Sequence, residues 1–286
     1  MKKLSIPFWS LLSAGYSRVG SEWNYRDVCS PFTRLYYVTE GCGEVHMPDR
    51  TLYLRPGYLY IVPAFTRHSN RCEYSMTHYY VHVYEEVEGY ATATTDRWVF
   101  PDSIKANLGT IETFKELIRF NPQLSLKNPD PKIYDNTILL RDSLNRDSCR
   151  PLTERLMNNG LISLLMALWL GNGQETMKTK NDRIVRVMGY IHRNLFSDFE
   201  VEDCAREVSL SKYHLLRLFK IETGTSIMSY VRFLRMRRAQ IELVLTDKPI
   251  KQIADELGYK DFNYFIRLFK KQTGATPGAY RRQNFT

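Results

Sequence analysis

The chain has 286 residues, 43% of them hydrophobic and 25% charged, with a formal net charge of +9. This is room for about two domains and an ordinary buried core, and it excludes a disordered or fibrous protein. Five scattered cysteines with no CxxC pair exclude a disulfide framework and a zinc site, and fit a reducing cytoplasm. The basic start, Met1-Lys-Lys-Leu-Ser-Ile-Pro-Phe, lacks the sustained apolar core of a signal peptide. The longest apolar stretch, Leu161 to Leu170, is far short of the ~20 residues that span a bilayer.

Residues 30 to 90 read as short strands separated by Gly and Pro turns. Phe32 to Thr39 is rich in aromatic and β-branched residues, Glu40-Gly-Cys-Gly is a turn, and Glu44 to Met47 and Thr51 to Leu54 alternate. Arg55-Pro-Gly is a second turn, Tyr58 to Val62 is apolar, and Tyr79 to Tyr84 alternates again. A small barrel or sandwich is expected here. From about Asp96 the period changes. Ile111 to Phe120, Tyr134 to Ser143 and Leu152 to Leu170 space their apolar residues for helices, and Asn121-Pro and Asn128-Pro-Asp-Pro separate the first two. The polar, glycine-bearing run after Leu170 is expected to be a linker.

The last third is helical by pattern and carries the excess charge. From Asn181 to Thr286 there are 19 Lys and Arg against 12 Asp and Glu, whereas the preceding residues hold 21 against 19. A basic domain suits a polyanionic partner, because neutralising phosphates releases counterions. Arg217-Leu-Phe-Lys recurs as Arg267-Leu-Phe-Lys, Thr223-Gly as Thr273-Gly and Tyr230 as Tyr280. The short helices ahead of these blocks, Val201 to Val208 and Ile250 to Leu257, are offset by one residue less, so the second turn is one residue longer. Each copy has the punctuation of a helix-turn-helix: a short helix, a turn, an N-cap (Ser211 or Asp261), a second helix, and Gly224 or Gly274 to end it.

Helical spacing puts Leu215, Leu218 and Phe219, and Phe265, Leu268 and Phe269, on buried faces. The opposite face carries Lys212, Tyr213, Leu216, Arg217 and Lys220 in the first copy, and Phe262, Asn263, Ile266, Arg267 and Lys270 in the second. Arg can bridge guanine, Asn can bridge adenine and apolar tips can touch thymine methyls, whereas Lys220 and Lys270 suit phosphates. Double-stranded DNA is therefore the expected partner. A helix from about Ser226 to Thr246, with Tyr230, Leu234, Ile241 and Leu245 on one buried face, would be roughly 31 Å long. That is close to the ~34 Å between major-groove faces on one side of a duplex. The alternative is a helical bundle with a basic, solvated face.

These residues resemble the AraC/XylS family of bacterial transcription regulators. The matching segments are Val208-Ser-Leu-Ser-Lys-Tyr-His-Leu-Leu-Arg-Leu-Phe-Lys, Glu222-Thr-Gly, Ile253-Ala-Asp-Glu-Leu-Gly-Tyr, and Tyr264-Phe-Ile-Arg-Leu-Phe-Lys-Lys-Gln-Thr-Gly through Tyr280-Arg. The resemblance covers about Asp182 to Arg282. It implies a seven-helix domain whose base-facing positions are Lys212, Tyr213, Leu216 and Arg217, then Phe262, Asn263 and Arg267. Leu216 stands where the family often has a polar residue. Leu35-Tyr-Tyr-Val-Thr-Glu-Gly-Cys-Gly, Leu54-Arg-Pro-Gly-Tyr-Leu-Tyr-Ile-Val-Pro and His68 resemble the cupin-like sensor domain of the same family. This implies a jelly-roll barrel with His68 and His82 lining a small-molecule effector pocket, a homodimer, and RNA polymerase as a further candidate partner.

A metal-dependent cupin enzyme is the competing reading, because His46, His68, His78 and His82 accompany Glu44. However, Arg34, Tyr36 and Tyr37 stand where the HxH ligand pair is expected, and Pro63-Ala-Phe-Thr-Arg-His68 keeps only part of the usual signature. The expected protein is thus a cytoplasmic α+β DNA-binding regulator with no catalytic residues, cofactor, metal or membrane partner. A cupin-like β-barrel with accessory helices from about 111 to 170 fills residues 1–172, a linker 173–181, and a double helix-turn-helix domain 182–286.

Overall fold

The structure is a computed structural model that describes residues 8–86, 94, 98–135, 137–175, 181–197 and 200–283. It divides into two compact units that meet in sequence at Gln174 and Glu175. No helix of the described residues is long and apolar enough to cross a membrane.

The first unit is built on ten strands: β1 (Phe8–Gly20), β2 (Tyr25–Val28), β3 (Thr33–Gly41), β4 (Gly43–His46), β5 (Thr51–Leu54), β6 (Tyr58–Val62), β7 (His68–Arg71), β8 (Ser75–Glu86), β9 (Trp98–Val99) and β10 (Ile104–Lys105). One antiparallel sheet has the order β1-β8-β3-β6-β10 and a second has β2-β7-β4-β5. All of these strands except β9 pair within these two sheets, so the expected closed barrel is an open sandwich among the described residues. The chain passes from one sheet to the other between β3 and β4. Gly41 makes the crossing at φ 68°, and a Cβ there would lie 2.0 Å from the Ser75 carbonyl oxygen, so only glycine fits.

Side-chain alternation gives the two faces of the large sheet different partners. Leu35 and Tyr37 of β3, with Val81 and Val83 of β8, face a helical layer. That layer contains α1 (Leu108–Phe120) and α4 (Leu152–Asn172), which contribute Phe114, Leu117, Ile162, Leu165 and Trp169. Tyr36 and Val38 point the other way, against Val45, Leu52 and Leu54 of the second sheet. The same alternation turns His78, Tyr80 and His82 of β8 inward together, opposite Val38, Tyr36 and Arg34.

Three expectations need correcting. β1 was not foreseen: Trp9 to Ala14 are all buried, so covering on both faces removes the alternation that marks a strand. The helix expected over Tyr134 to Ser143 is two helices, α2 (Pro131–Tyr134) and α3 (Thr137–Ser148). Asp135 leaves the helical path to meet Arg34, which is 1% exposed, at 2.9 Å. Finally, α4 runs to Asn172, two residues past its expected end. Of the expected linker, residues 176–180 lie outside the described residues.

The second unit contains seven helices among the described residues: α5 (Asp182–Arg193), α6 (Val201–Glu207), α7 (Lys212–Thr223), α8 (Ile227–Leu245), α9 (Ile250–Glu256), α10 (Phe262–Thr273) and α11 (Pro277–Gln283).

The Arg34–Asp135 pair fixes α2 onto the sandwich, and Ser30 also donates to Asp135 Oδ2. Removing one partner of a buried pair strands the other charge, at about 3–5 kcal/mol, whereas replacing both with apolar groups costs far less. Asp135→Ala should therefore lower the stability of the first unit by about 3 kcal/mol in urea unfolding. The double variant Arg34→Met/Asp135→Leu should recover most of that loss, and additive losses would show that the pair is not coupled.

Candidate nucleic-acid interface

The two halves of the second unit are built by the same local rules. After α6, Ser209 takes φ 54° and the Leu210 amide reaches back to the Ala205 carbonyl at 3.0 Å. After α9, Gly258 takes φ 76° and the Tyr259 amide reaches Ala254 at 3.0 Å. This back-bonded, left-handed turn closes the orphan carbonyls of a helix end. The Ser211 hydroxyl then accepts from the His214 amide at 3.3 Å, and the Asp261 carboxylate accepts from the Tyr264 amide at 3.0 Å. Four residues separate α6 from α7 and five separate α9 from α10, so the second turn is longer by one. At the far ends, Gly224 (φ 73°) and Gly274 (φ 81°) close both helices. The repeated threonines explain themselves here: Thr223 Oγ1 donates to Phe219, and Thr273 Oγ1 to Phe269.

Leu215, Phe219, Phe265 and Phe269 are fully buried, while Leu218 and Leu268 are half-buried. On the opposite faces Lys212, Tyr213, Arg217, Lys220, Asn263, Arg267 and Lys270 are exposed, and Leu216, Phe262 and Ile266 are half-buried. Leu216 packs partly against the core of its own half, and Phe262 stacks on Phe265. Tyr213 is 82% exposed, the most of any large apolar side chain on α7. Lys212 Nζ lies 2.5 Å from Glu202, an exposed, screened pair that a phosphate can replace. Arg267 sits 4.0 Å from Asp261, at the limit of an ion pair. Exposed side chains beside these that were missed include Lys271, flagged by the Lys-Lys doublet, and the repeat counterparts His214 and Tyr264, for which periodicity alone gave no signal.

The helix between the halves, α8, differs from expectation. Its first half buries Ile227, Tyr230, Val231 and Leu234 against α5, α6 and α7. Its second half buries Met236, Ala239, Gln240 and Leu243, and contacts α9 and α11, with Gln240 donating to the Tyr280 hydroxyl at 3.2 Å. At ~100° per residue these two stripes lie about half a turn apart. The single buried stripe expected through Ile241 and Leu245 is therefore replaced by two opposed ones, and Ile241 and Leu245 are half-buried. Arg235, at the changeover, donates to the carbonyls of Leu195 (2.7 Å), Ser197 (3.3 Å) and Gly258 (3.4 Å). A Cβ on Gly258 would stand 3.1 Å from that guanidinium. Arg238 is taken by the Glu242 carboxylate at 2.6 Å and Arg232 by Ser229, so the arginines of α8 serve the fold first.

In the first unit His82 is buried and its Nδ1 lies 2.8 Å from the Ser13 hydroxyl. It stands in the wall of a cavity of about 360 Å³ bounded by Leu12, Phe32, Leu126, Ile133 and Leu140, with Lys127 and Arg146 at its edge. It also borders a second cavity of about 40 Å³, lined by Trp23, Tyr36 and His78 among others. His68 is buried elsewhere, bonded through Nδ1 to the Thr66 carbonyl at 2.8 Å, and lines neither cavity. Burial, then the Arg34 charge, lowers the His68 pKa to about 3 and pushes His82 well below the ordinary range. Burial lowers His78 to about 4. His46 is exposed beside Glu44. Among the described residues no three His, Cys, Asp or Glu side chains converge so as to hold a metal ion.

Comparison with known proteins matches residues 204–283 to a family described as a helix-turn-helix domain. An uncharacterized HTH-type transcriptional regulator of Bacillus subtilis, YtdP, is 34% identical over 131 residues, 46% of this chain; the chain spans only 17% of that protein's length. The arabinose operon regulatory protein of Escherichia coli is 28% identical over 249 residues, covering 86% of this chain and 79% of that one. Among solved structures, ToxT of Vibrio cholerae aligns over 98% of this chain and 97% of its own at 12% identity, with a TM-score of 0.47.

Two predictions follow from this geometry. A non-glycine residue in the left-handed region costs roughly 1–2 kcal/mol, so Ser209→Gly should stabilise the second unit by up to about 1 kcal/mol, seen as a raised melting midpoint. The buried histidines stay neutral when folded but take up protons near pH 6.5 when unfolded. Stability of the first unit should therefore fall as pH drops from 6.5 towards 4, by up to about 1.4 kcal/mol per pH unit for each histidine. His78→Leu should flatten the slope of urea stability against pH; an unchanged slope would remove His78 from the account.

Proposed function

We propose that this chain, an AraC/XylS-type DNA-binding regulator of transcription and not an enzyme, lays α7 and α10 in successive major grooves of one duplex face. The observation that carries the reading is the matched pair of capped helices, each presenting an exposed arginine, Arg217 and Arg267, at the same step after its cap. Arg217, Arg267 and Asn263 supply hydrogen-bonding base contacts. Tyr213, Leu216, Phe262 and Ile266 supply apolar contacts, while Lys212, Lys220 and Lys270 meet phosphates. The 19 residues of α8 span about 28 Å, long enough to hold two recognition helices near the ~34 Å groove repeat.

The first unit acts as the regulatory half. The cavity beside His82 supports binding of a small-molecule effector there, and the long helices of this unit support a homodimer, acting in the cytoplasm.

The test begins by selecting bound duplexes from a random pool. On the selected site, Arg217→Ala/Arg267→Ala should weaken binding at least ~30-fold in a gel shift at physiological salt, since each bidentate arginine contributes about 1–3 kcal/mol. Binding within about threefold of the parent would refute the assignment. Lys220→Ala or Lys270→Ala should weaken all duplexes alike and lower the salt slope by about one counterion.

A further inference from the structure

The larger cavity beside His82 has β1 on one side and α2 and α3 on the other. Leu12, Phe32, Leu124 and Leu140 line it and are buried. Ile133 and Leu139 line it as well but are 51% and 40% exposed, so it opens to solvent past apolar side chains. Two cationic side chains stand among the described residues of its wall, Lys127 and Arg146, both exposed, and no carboxylate stands there with them. Neither forms an ion pair with a described residue; Arg146 bonds within its own helix, to the Ser143 hydroxyl at 3.0 Å and the Asp142 carbonyl at 3.3 Å. The inner end adds no net charge. His82 is neutral, its pKa driven down by burial and then by Arg34, and Arg34 is matched by Asp135 at 2.9 Å.

We propose that this cavity takes an organic monocarboxylic acid, its apolar body against the leucines and its carboxylate at the mouth, met by Lys127 and Arg146. The proposal rests on the effector reading above and names the chemical class of the ligand. Size limits the body. A cavity of about 150 Å³ takes benzene, so one of about 360 Å³ takes roughly a dozen non-hydrogen atoms. Polarity limits it further. A polyhydroxylated ligand would strand hydroxyls against aliphatic walls, which costs binding. A carboxylate carried to the inner end would be desolvated beside a guanidinium that Asp135 already neutralises. At the mouth it keeps part of its water and gains two charge-assisted partners. A neutral body of the same shape gains nothing from those two cations, so charge is what the entrance selects and apolar volume is what the interior selects.

Isothermal titration calorimetry of the full chain without DNA reads the class directly, with octanoate and 4-phenylbutyrate as probes and their primary amides as uncharged twins. Each acid should bind with a dissociation constant of about 10–100 μM, an ordinary efficiency for ligands of this size. It should bind at least about tenfold more tightly than its amide, and added salt should weaken the acids alone. Lys127→Gln/Arg146→Gln should bring acid and amide to within about threefold of each other. Leu139→Trp, a change at a half-exposed position, should narrow the mouth and weaken acid and amide together, with circular dichroism and melting confirming the fold of each variant. Amides that bind as tightly as the acids overturn the charge selection and leave the cavity as a site for neutral effectors. Binding of neither acid nor amide up to about 1 mM overturns the effector cavity together with its ligand class. Acid binding that Leu139→Trp leaves unchanged puts the acid elsewhere on the chain and overturns this site.

Discussion

Everything in the second unit hangs on one helix being asked to serve two cores. A helix buried along one stripe can anchor one small bundle. By turning its apolar stripe through half a turn near Arg235, α8 anchors two, one on each side of its axis. At the changeover the buried side chains pass from one core to the other within two residues, Leu234 and Met236, with Arg235 half-buried between them. Arg235 bonds at once to a carbonyl just after α5 and to one in the turn after α9. The left-handed Gly258 is what leaves room for the guanidinium. The segment after α5 and the turn after α9 are thus joined by a short polar clasp as well as by apolar packing.

The first unit solves a different problem, how to keep a charged group inside a sandwich. β3 is covered on both faces, so its alternation sorts side chains by partner, and Arg34 falls on the inner side among Tyr36, His82 and Phe32. Its carboxylate comes from a bend between two short helices, held in turn by a serine hydroxyl. The interior next to His82 is consequently polar and close to a cavity, which is an expensive way to build a core.

Where the sequence was legible, the controlling forces were local. Ser211, Asp261, Gly224 and Gly274 fix their helix ends through bonds within a few residues, so caps and turns could be read directly. β5 and β6 were legible because the Arg55-Pro-Gly turn separates them and Pro48 and Pro63 stand at their outer ends. β1 was not, since its burial on both sides comes from strands and helices more than 60 residues away. The break at Asp135 answers to Arg34 about a hundred residues earlier, and the stripe exchange in α8 answers to two separate bundles. None of these partners leaves a mark in a window of fifteen residues. The candidate DNA face was visible as residue types on a helical wheel, but the half-burial of Leu216 and Phe262 depends on tertiary packing.

The extra residue in the turn between α9 and α10 means the two halves are near copies without being interchangeable. α7 and α10 also carry their own side chains: Tyr213 and a lysine already shared with Glu202 on α7, Asn263 and a lysine doublet on α10. A rod with unlike ends has a head and a tail. Any long, repetitive ligand lying along it would be met in a definite orientation, and turning that ligand end for end would present a different set of contacts to each helix.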